Sequence, residues 1–421
     1  MASATLTSSS SSVFTSFHKS PLRPSTPLRF VCKSQTLDQD QDQDQALPLV
    51  LHDALDASGL DTKHVRAARE GFRSQIGRLG AVERDTSISV NRRIDLAKTA
   101  LYIAAEDDSL ISHSSVPLPV DAFVDRLDDL SMGFCSHYGA SVAPSSPEAF
   151  LGALERFLYQ DKGFRRAKVS SLSDPRALYL HSVLTHRSGS AVMLSLIYAE
   201  LLKMLRLWSL LSFDVEIYCP HDLVSLPRGY NKKKSRVSDQ PHILTTQALL
   251  VKMLKNLKDA FWPFQNDPTK SLFLRAAHAA RCTSGPTNMG ESGFERASAK
   301  AAQHRLERGV WTSVRLGDMR RALSACERLI QMEFDLDELR DYSILLYHCG
   351  FYEESMQYMK AYLTSRADKP LNQEGPSKAL RDLEDEAVEK LMMRLNLISM
   401  EDTHTRPSYF RSFLSNCSEP W

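Results

Sequence analysis

The stretch that decides the fold of this chain lies between residues 184 and 222. It reads L-T-H-R-S-G-S-A-V-M-L-S-L-I-Y-A-E-L-L-K-M-L-R-L over 184–207 and S-F-D-V-E-I-Y-C-P-H-D over 212–222. The segment 191–205 is apolar nearly all round, which is typical of a helix buried on every side. The segment 213–218 has the β-branched and aromatic content of a strand. We therefore predict a loop, a buried helix that begins just after Gly189, and a short strand that runs up to His221.

The start of that helix is where a nucleophile would gain most from the fold. The positive end of the helix dipole lowers the pKa of a thiol placed there. The residues at this point are Ser188, Gly189, Ser190 and Ala191, and none of them is cysteine. A serine beside a glycine at a helix start is typical of an N-cap, so a serine nucleophile paired with His221 is the less favoured interpretation.

The bulk composition indicates a globular protein without a dominant charge. The chain has 421 residues, 43% hydrophobic and 24% charged, with a net charge of +1. A net charge this small gives no global attraction to nucleic acid or to an anionic membrane, and no apolar run is long enough to span a bilayer. The seven cysteines are scattered without a zinc-ligand pattern. We therefore predict no cofactor and no metal.

The first 60 residues are predicted to lie outside the folded domains. Residues 1–35 lack Asp and Glu, are rich in Ser, and begin Met-Ala-Ser, which is the composition of an organellar transit peptide, here for a plastid. A low-complexity tail without a targeting role is the alternative. Residues 36–60 are predicted to be a disordered linker, since Asp and Gln alternate over 38–45.

Helical periodicity divides the rest into two regions. We predict a domain over 61–282, a Gly- and Pro-containing linker over 283–305, a helical region over 306–400, and a tail over 401–421. Within the helical region Gly317 and Gly350 each precede a helix, and their offset of 33 residues is close to the ~34 of a tetratricopeptide repeat. Two such units are too few to be stable alone, so this region is expected to dock on the preceding domain.

Several motifs in order resemble the bacterial SirB-type family. They include I-D-L-A-K-T-A-L-Y-I-A over 94–104, F-V-D-R-L-D-D-L over 123–130, R-S-G-S-A-V-M-L-S-L-I-Y over 187–198, C-P-H-D over 219–222 and E-L-R-D-Y-S-I-L-L-Y-H-C-G-F over 338–351. The resemblance covers about residues 90–365. It implies a predominantly helical α+β fold, with a transglutaminase-like, cysteine-protease-like domain followed by a tetratricopeptide-like α-helical region.

The same resemblance implies a degenerate active site. The cysteine position of the superfamily falls near Ala191 and the histidine position on His221. The segment that should supply an acidic residue is replaced by a polar loop around 232–238. Pro220 and Asp222 replace the glycine and the aromatic residue usual around that histidine. The family as a whole resembles an inactive branch of the superfamily, and this chain departs from the pattern further.

His221 is the sharpest catalytic candidate. It is interpreted either as a base or anion-binding group in a cleft, or, with more weight, as a vestigial histidine at a strand end. Nucleophilic catalysis needs a thiol within hydrogen-bond reach of the base. Cys219 is two residues away, and strand alternation would put both side chains on one face. A thiol on a strand lacks the helix dipole, however, so this pair is disfavoured as a catalytic centre.

Two surfaces are candidates for binding a partner. The first is the basic loop 228–236, which carries Lys232, Lys233, Lys234 and Arg236 within an exposed stretch predicted over 227–240. It could contact RNA, an acidic protein or a lipid surface, although a plain solvated loop is favoured. The second is an aromatic cluster that includes Tyr352 and Tyr358. Aromatic residues are enriched in interface cores, but at helical spacing internal packing is the more common role.

These observations predict a plastid protein, in the stroma or at the thylakoid surface, that acts as a scaffold or regulator by protein–protein interaction. We expect no enzymatic activity, a protein partner, and at most peripheral association with the thylakoid. Two alternatives stay open. One is a residual hydrolase or acyl-transferase that uses His221, and the other is an RNA-associated factor that uses the basic loop.

Overall fold

A computed structural model describes residues 47–112, 116–142, 146–167, 175–234, 237–265, 270–283, 318–333, 335–367 and 378–402. The predicted transit peptide over 1–35 and all but the first two residues of the predicted tail lie outside this part of the chain. So do Arg236 and, except for residue 283, the predicted linker over 283–305. The segment Pro48–Trp421 forms one compact unit.

The N-terminal helices are α1 (Leu51–Ala57), α2 (Lys63–Ile76), α3 (Ala81–Asp85) and α4 (Leu96–Ser112). Helix α1 lies within the segment predicted to be a disordered linker, and that prediction is wrong for residues 51–57. Leu51 and Leu55 share a helix face and are buried at 1% and 2% exposure. The Leu51 amide donates to the carboxylate of Glu327, 3.0 Å away and distant in sequence. The order of this segment therefore depends on contacts that its own composition does not reveal.

The central region follows as α5 (Val120–Val142) and α6 (Pro147–Glu155), which continues as a π-helical turn over Arg156–Asp161. Strand β1 (Arg165–Arg166), a 3-10 turn (Pro175–Leu178), α7 (Leu180–His186), β2 (Ser188–Gly189) and α8 (Ala191–Leu207) come next. Strands β1 and β2 pair in parallel, with Arg166 opposite Gly189. Helix α8 begins at the predicted residue, and its buried positions lie on all sides of the helix, including Leu196, Leu201 and Leu205.

Strand β3 (Val215–Tyr218) pairs antiparallel with β4 (Arg228–Asn231), so that Val215 lies opposite Asn231 and Tyr218 opposite Arg228. The predicted strand is therefore confirmed. The exposed loop predicted over 227–240 is wrong at its start, where β4 forms. Its continuation holds 3-10 turns over Lys232–Lys234 and Val237–His242. A side chain at Gly229 would lie 2.7 Å from the Tyr198 hydroxyl, so β4 approaches α8 closely only because this residue is glycine.

The remaining helices are α9 (Thr246–Phe261), α10 (Leu272–Ala279), α11 (Met319–Gln331), α12 (Asp337–His348), α13 (Tyr352–Ala367) and α14 (Lys378–Asp402). Helix α11 packs against α9 and α4, α12 packs against α13 and α10, and α14 contacts α13 and α10. The prediction that the C-terminal helices dock on the preceding region is confirmed.

A buried ionic cluster joins α4 to α11 at this docking surface. Arg328 of α11 is fully buried, and its guanidinium lies 3.1 Å from Glu106 and 2.5 Å from Asp107 of α4. Arg69 of α2 lies 2.6 Å from Glu106 and 2.9 Å from Glu327 of α11. Buried charges are tolerated when each is paired and hydrogen-bonded. This cluster meets that condition and ties the two regions through charge as well as apolar packing.

Candidate functional site

The start of α8 is built by three local devices. Arg187 ends α7 in the left-handed region at φ 56° and turns the chain into β2. Gly189 passes so close to α7 that a β-carbon there would lie 2.7 Å from Val183. The Ser190 hydroxyl accepts the Met193 amide at 3.3 Å, which makes Ser190 the N-cap of α8. The predicted capping role of Ser190 is confirmed.

The position on which the sequence resemblance places the catalytic cysteine holds an alanine. Ala191 is the first residue of α8 and is 7% exposed. A methyl group has no proton to give up and no lone pair to attack with, so Ala191 itself offers the helix dipole no nucleophile to activate. The adjacent serine oxygen is already committed to the cap.

His221 lies on the surface of the β3–β4 hairpin. Its Nε2 atom is 3.3 Å from the carbonyl oxygen of Pro241, and its ring meets that of His242 edge-on, with centroids 4.6 Å apart. His242 in turn stacks on Tyr218 at 4.5 Å. If Nε2 carries the ring proton, it donates to the Pro241 carbonyl. The ring is thus held by a carbonyl and an aromatic neighbour, and no carboxylate in the described part of the chain bonds to it.

Cys219 and His221 do not share a face, and the prediction from strand alternation is wrong. Cys219 is 1% exposed, whereas His221 is exposed. Strand β3 ends at Tyr218, and Pro220 has no amide proton with which to continue the ladder. Alternation therefore lapses before His221. Among the described residues no hydrogen bond joins the Cys219 sulfur to the His221 ring, so the structure does not bring the pair together.

Asp222, the carboxylate nearest in sequence to His221, belongs to its own turn. Its Oδ1 atom accepts the amides of Val224 at 2.8 Å and Ser225 at 2.5 Å. These bonds, that to the Ser225 amide first, lower the pKa of Asp222 to about 2. The main-chain oxygen of Asp222 accepts Arg166 Nη2 at 3.0 Å. Asp222 thus stabilises the loop, and its observed contacts do not orient His221.

Two of the three lysines of the basic loop pair with neighbouring acids. Lys232 lies 3.4 Å from buried Glu216, and Lys234 pairs with Glu148 and lowers the pKa of that carboxyl group. Of the three lysines, Lys233 alone forms no ion pair with a described residue. Since two charges are matched at short range, the field available to a polyanion is smaller than the sequence suggested.

The aromatic cluster is mostly internal. Tyr358 is 0% exposed, its hydroxyl donates to the Pro48 carbonyl at 3.0 Å, and its ring lies edge-on to Tyr342 at 4.8 Å. The prediction of Tyr358 as an interaction residue is therefore wrong, because the residue packs α13 against the N-terminal segment. Tyr352 is half-buried and lies edge-on to Tyr347 at 5.6 Å.

Sequence reasoning did not single out Glu106, and it predicted a solvated face for the adjacent acids Asp107 and Asp108, which is wrong for Asp107. Glu106 and Asp107 are adjacent acids on α4, a pattern typical of a solvated face, yet they are 0% and 1% exposed. The Asp107 carboxylate also accepts the Tyr179 hydroxyl at 2.6 Å. The sequence feature that could have indicated their burial is the helical spacing that puts them on the same face as Ile103 and Leu110. Every charge-matching partner is distant in sequence, so their role could not be predicted locally.

Within the described ranges, no group of three or more His, Cys, Asp or Glu side chains has a metal-binding arrangement. Over the same residues, no helix combines the length and apolar character needed to cross a bilayer.

Comparison with known proteins gives one match. No curated protein and no solved structure matches this chain. A family model described as the transglutaminase-like superfamily matches residues 121–208. The match runs from α5 to the end of α8, so it includes Ala191 and stops before His221. Residues 121–208 therefore form part of a transglutaminase-like domain, a cysteine-protease-like fold.

Proposed function

We propose that this chain is a non-catalytic interaction protein, a scaffold or regulator built on a degenerate transglutaminase-like domain. The observation that carries the proposal is Ala191 at the first position of α8. Catalysis by this fold needs a nucleophile at the helix start, a base within reach and a group that orients the base. Here the helix start bears a methyl group, His221 contacts a carbonyl, and Asp222 is bonded to its own turn.

A SirB-type architecture with a tetratricopeptide-like C-terminal region is part of the same proposal. Three features support it. Asp318 follows Gly317 and caps α11 by accepting the Arg320 amide at 3.1 Å. Gly350, at φ 80°, lies at the matching place between α12 and α13. Ser343 and Ser355 lock these two helices together by reciprocal hydroxyl–carbonyl bonds of 2.7 and 2.8 Å. Stacked helix pairs offer broad surfaces for protein partners.

We further propose that the protein works in the chloroplast, in the stroma or peripherally at the thylakoid surface. The support is the acid-free, serine-rich sequence of residues 1–35. Residues 1–35 fused to a fluorescent protein should direct it into plastids. A fusion that stays in the cytosol would contradict this location and leave the interaction role untouched.

A residual hydrolase or acyl-transferase is the alternative that the superfamily match keeps open, because transglutaminase-like domains are often enzymatic. The RNA-associated alternative rests on the loop 228–236. It is weakened by the ion pairs of Lys232 with Glu216 and of Lys234 with Glu148. Each alternative names a different residue set, so one experiment can separate the three.

The test is cross-linking in intact plastids, followed by affinity purification of the tagged full-length chain and identification of cross-linked peptides. We expect a reproducible protein partner whose recovery is unchanged in His221→Ala, in the matched control His137→Ala, and in the variant with all three loop lysines changed to glutamine. Loss of in vivo function in His221→Ala with partner recovery intact would instead favour the enzyme. RNA recovery that falls steeply with salt and with the lysine changes would favour the RNA-associated factor.

A further inference from the structure

A small pocket lies between α1 and the first turn of α13. Its volume is about 170 Å³. The walls are mainly apolar and include Val50, Ala54, Ala57 and Phe351, and two carboxylates, Asp53 and Glu354, complete the lining. The Asp53 side chain is 77% exposed, so its charge lies at the mouth. The pocket is therefore apolar inside with negative charge at its opening.

The walls are held by buried hydrogen bonds from distant parts of the chain. The Val50 amide donates to the Tyr342 hydroxyl at 3.2 Å, and the Tyr358 hydroxyl donates to the Pro48 carbonyl at 3.0 Å. Residues 50, 54 and 57 share one face because they are spaced by four and three positions. The cavity is thus formed before any ligand arrives, which reduces the ordering cost of binding.

The charge around the pocket is not balanced. Arg66 is shared between Asp53 and Asp56, with contacts of 2.8 Å to Asp53 and a short pair to Asp56. Glu354 forms no ion pair with any described residue. Three carboxylates therefore face one guanidinium. An anionic ligand would be repelled here, and a cation would be attracted.

The volume of the pocket suits a single side chain. A cavity of about 150 Å³ holds one benzene ring, whereas pockets for whole small molecules run from about 300 to 1,000 Å³. Lysine and arginine combine an apolar stem with a cationic head and bury the stem while the head stays in water. Phe351 adds an aromatic residue to the lining, and aromatic rings attract cations over their faces.

We propose that this pocket takes the side chain of one lysine or arginine from a partner protein. The inference rests on the proposed interaction role and names the chemistry that this role would recognise. The aliphatic stem lies against Ala54 and Ala57, and the positive head lies between Asp53 and Glu354.

The test is methyl-detected NMR on the full-length chain, with the methyl groups of Val50, Ala54 and Ala57 as reporters. The probes are the N-acetyl, N-methylamide derivatives of arginine, lysine, norleucine and glutamate. Saturable shifts are expected with arginine and lysine, with dissociation constants in the millimolar range that suits one side chain. Norleucine should bind about two- to five-fold more weakly, the factor expected for an exposed ion pair, and glutamate should not bind.

Two variants and a control locate the effect. Ala57→Leu adds bulk inside the pocket and should abolish the shifts. Glu354→Gln should reduce the affinity for the cationic probes about two- to five-fold. Glu353→Gln, one residue away and outside the pocket lining, should leave their affinity unchanged. Equal affinity for norleucine and arginine, or no shifts up to tens of millimolar probe, would overturn the proposal.

The outcome is separable from that of the proposed function. If the partner's cross-links avoid α1 and α13 and the probes cause no methyl shifts, the pocket proposal is contradicted while the interaction role stands. Binding of the cationic probes without any recovered partner would keep the site and remove the support for a scaffold.

Discussion

Removal of one charge from the buried cluster between α4 and α11 should cost the protein a large part of its stability. The change is Glu106→Gln, which keeps the shape of the side chain. Glu106 is 0% exposed and accepts Arg69 Nη2 at 2.6 Å, Arg328 Nε at 3.2 Å and the Ser324 hydroxyl at 2.8 Å. The substitution leaves two buried guanidinium groups short of one negative charge.

The expected loss is about 3–5 kcal/mol in the free energy of unfolding, the range found when one partner of a buried pair is removed. The retained amide oxygen can still accept hydrogen bonds, whereas the NH2 group that replaces the second oxygen faces the guanidinium donors. The assay is urea unfolding, with the change read from the midpoint at constant slope. The matched control is Asp385→Asn. Its pair with Arg366 is about half exposed at 44% and 42%, so it should cost at most about 1 kcal/mol.

The same carboxylate gives a pH dependence of defined sign. The neighbouring charges of Arg328 and Arg69 outweigh the desolvation of Glu106, so that its pKa lies well below the ordinary 4.5. A lowered pKa in the folded state means that the stabilisation is complete above 4.5 and is lost as pH falls towards the folded value. Glu106→Gln should lack this part of the acid limb. A loss under 1 kcal/mol, or an unchanged acid limb, would refute the view that this cluster holds the C-terminal helices in place.

Three further predictions concern single residues, each checked by urea unfolding. Gly189→Ala should destabilise the protein by about 1–3 kcal/mol through overpacking on Val183. The control Gly152→Ala, with open space around it, should be neutral or stabilising by up to about 1 kcal/mol. Equal effects of the two substitutions would contradict the close approach of β2 to α7. Ser190→Ala should cost about 1 kcal/mol, as for any lost cap, without changing in vivo function; loss of function at unchanged fold would instead indicate a nucleophile. Burial lowers the pKa of His348 to about 4 from 6.5, so its contribution to stability should be complete above pH 6.5, fall as pH drops from 6.5 to about 4, and level off below that. His348→Gln should flatten that slope, and a proton bound to the folded-state ring near pH 6.5, seen by NMR, would contradict it.

The elements that could be predicted from sequence are those set by local chemistry. Helix α8 was expected over 191–205 and is observed over Ala191–Leu207, because an apolar run and a serine cap both act within a few residues. Strand β3 was expected over 213–218 and is observed over Val215–Tyr218. In both cases the residues that predict the element are the same residues that form it.

The elements that could not be predicted depend on distant partners. Helix α1 is ordered by Glu327 and Tyr342, which are more than 270 positions away along the chain. Strand β4 looks like a polar loop until its pairing with β3 is known. Tyr358 has the composition of an interface residue, and only its contact with Pro48 reveals an interior role. The local sequence around a charged or aromatic residue does not reveal which distant residue will bury it.

The candidate site and the buried ionic cluster both support the proposed interaction role. Each polar group proposed for catalysis is engaged in local structure: Ser190 in the cap of α8, Asp222 in its own turn after β3, and His221 on the Pro241 carbonyl. Activation of a nucleophile would require these bonds to be broken, at a cost of about 0.5–1.5 kcal/mol each. Between α4 and α11, by contrast, buried charges fix the C-terminal helices on the domain. Both features support the proposed role in holding a partner, because the polar groups near α8 and β3 are engaged in local structure and the C-terminal helices are fixed in place.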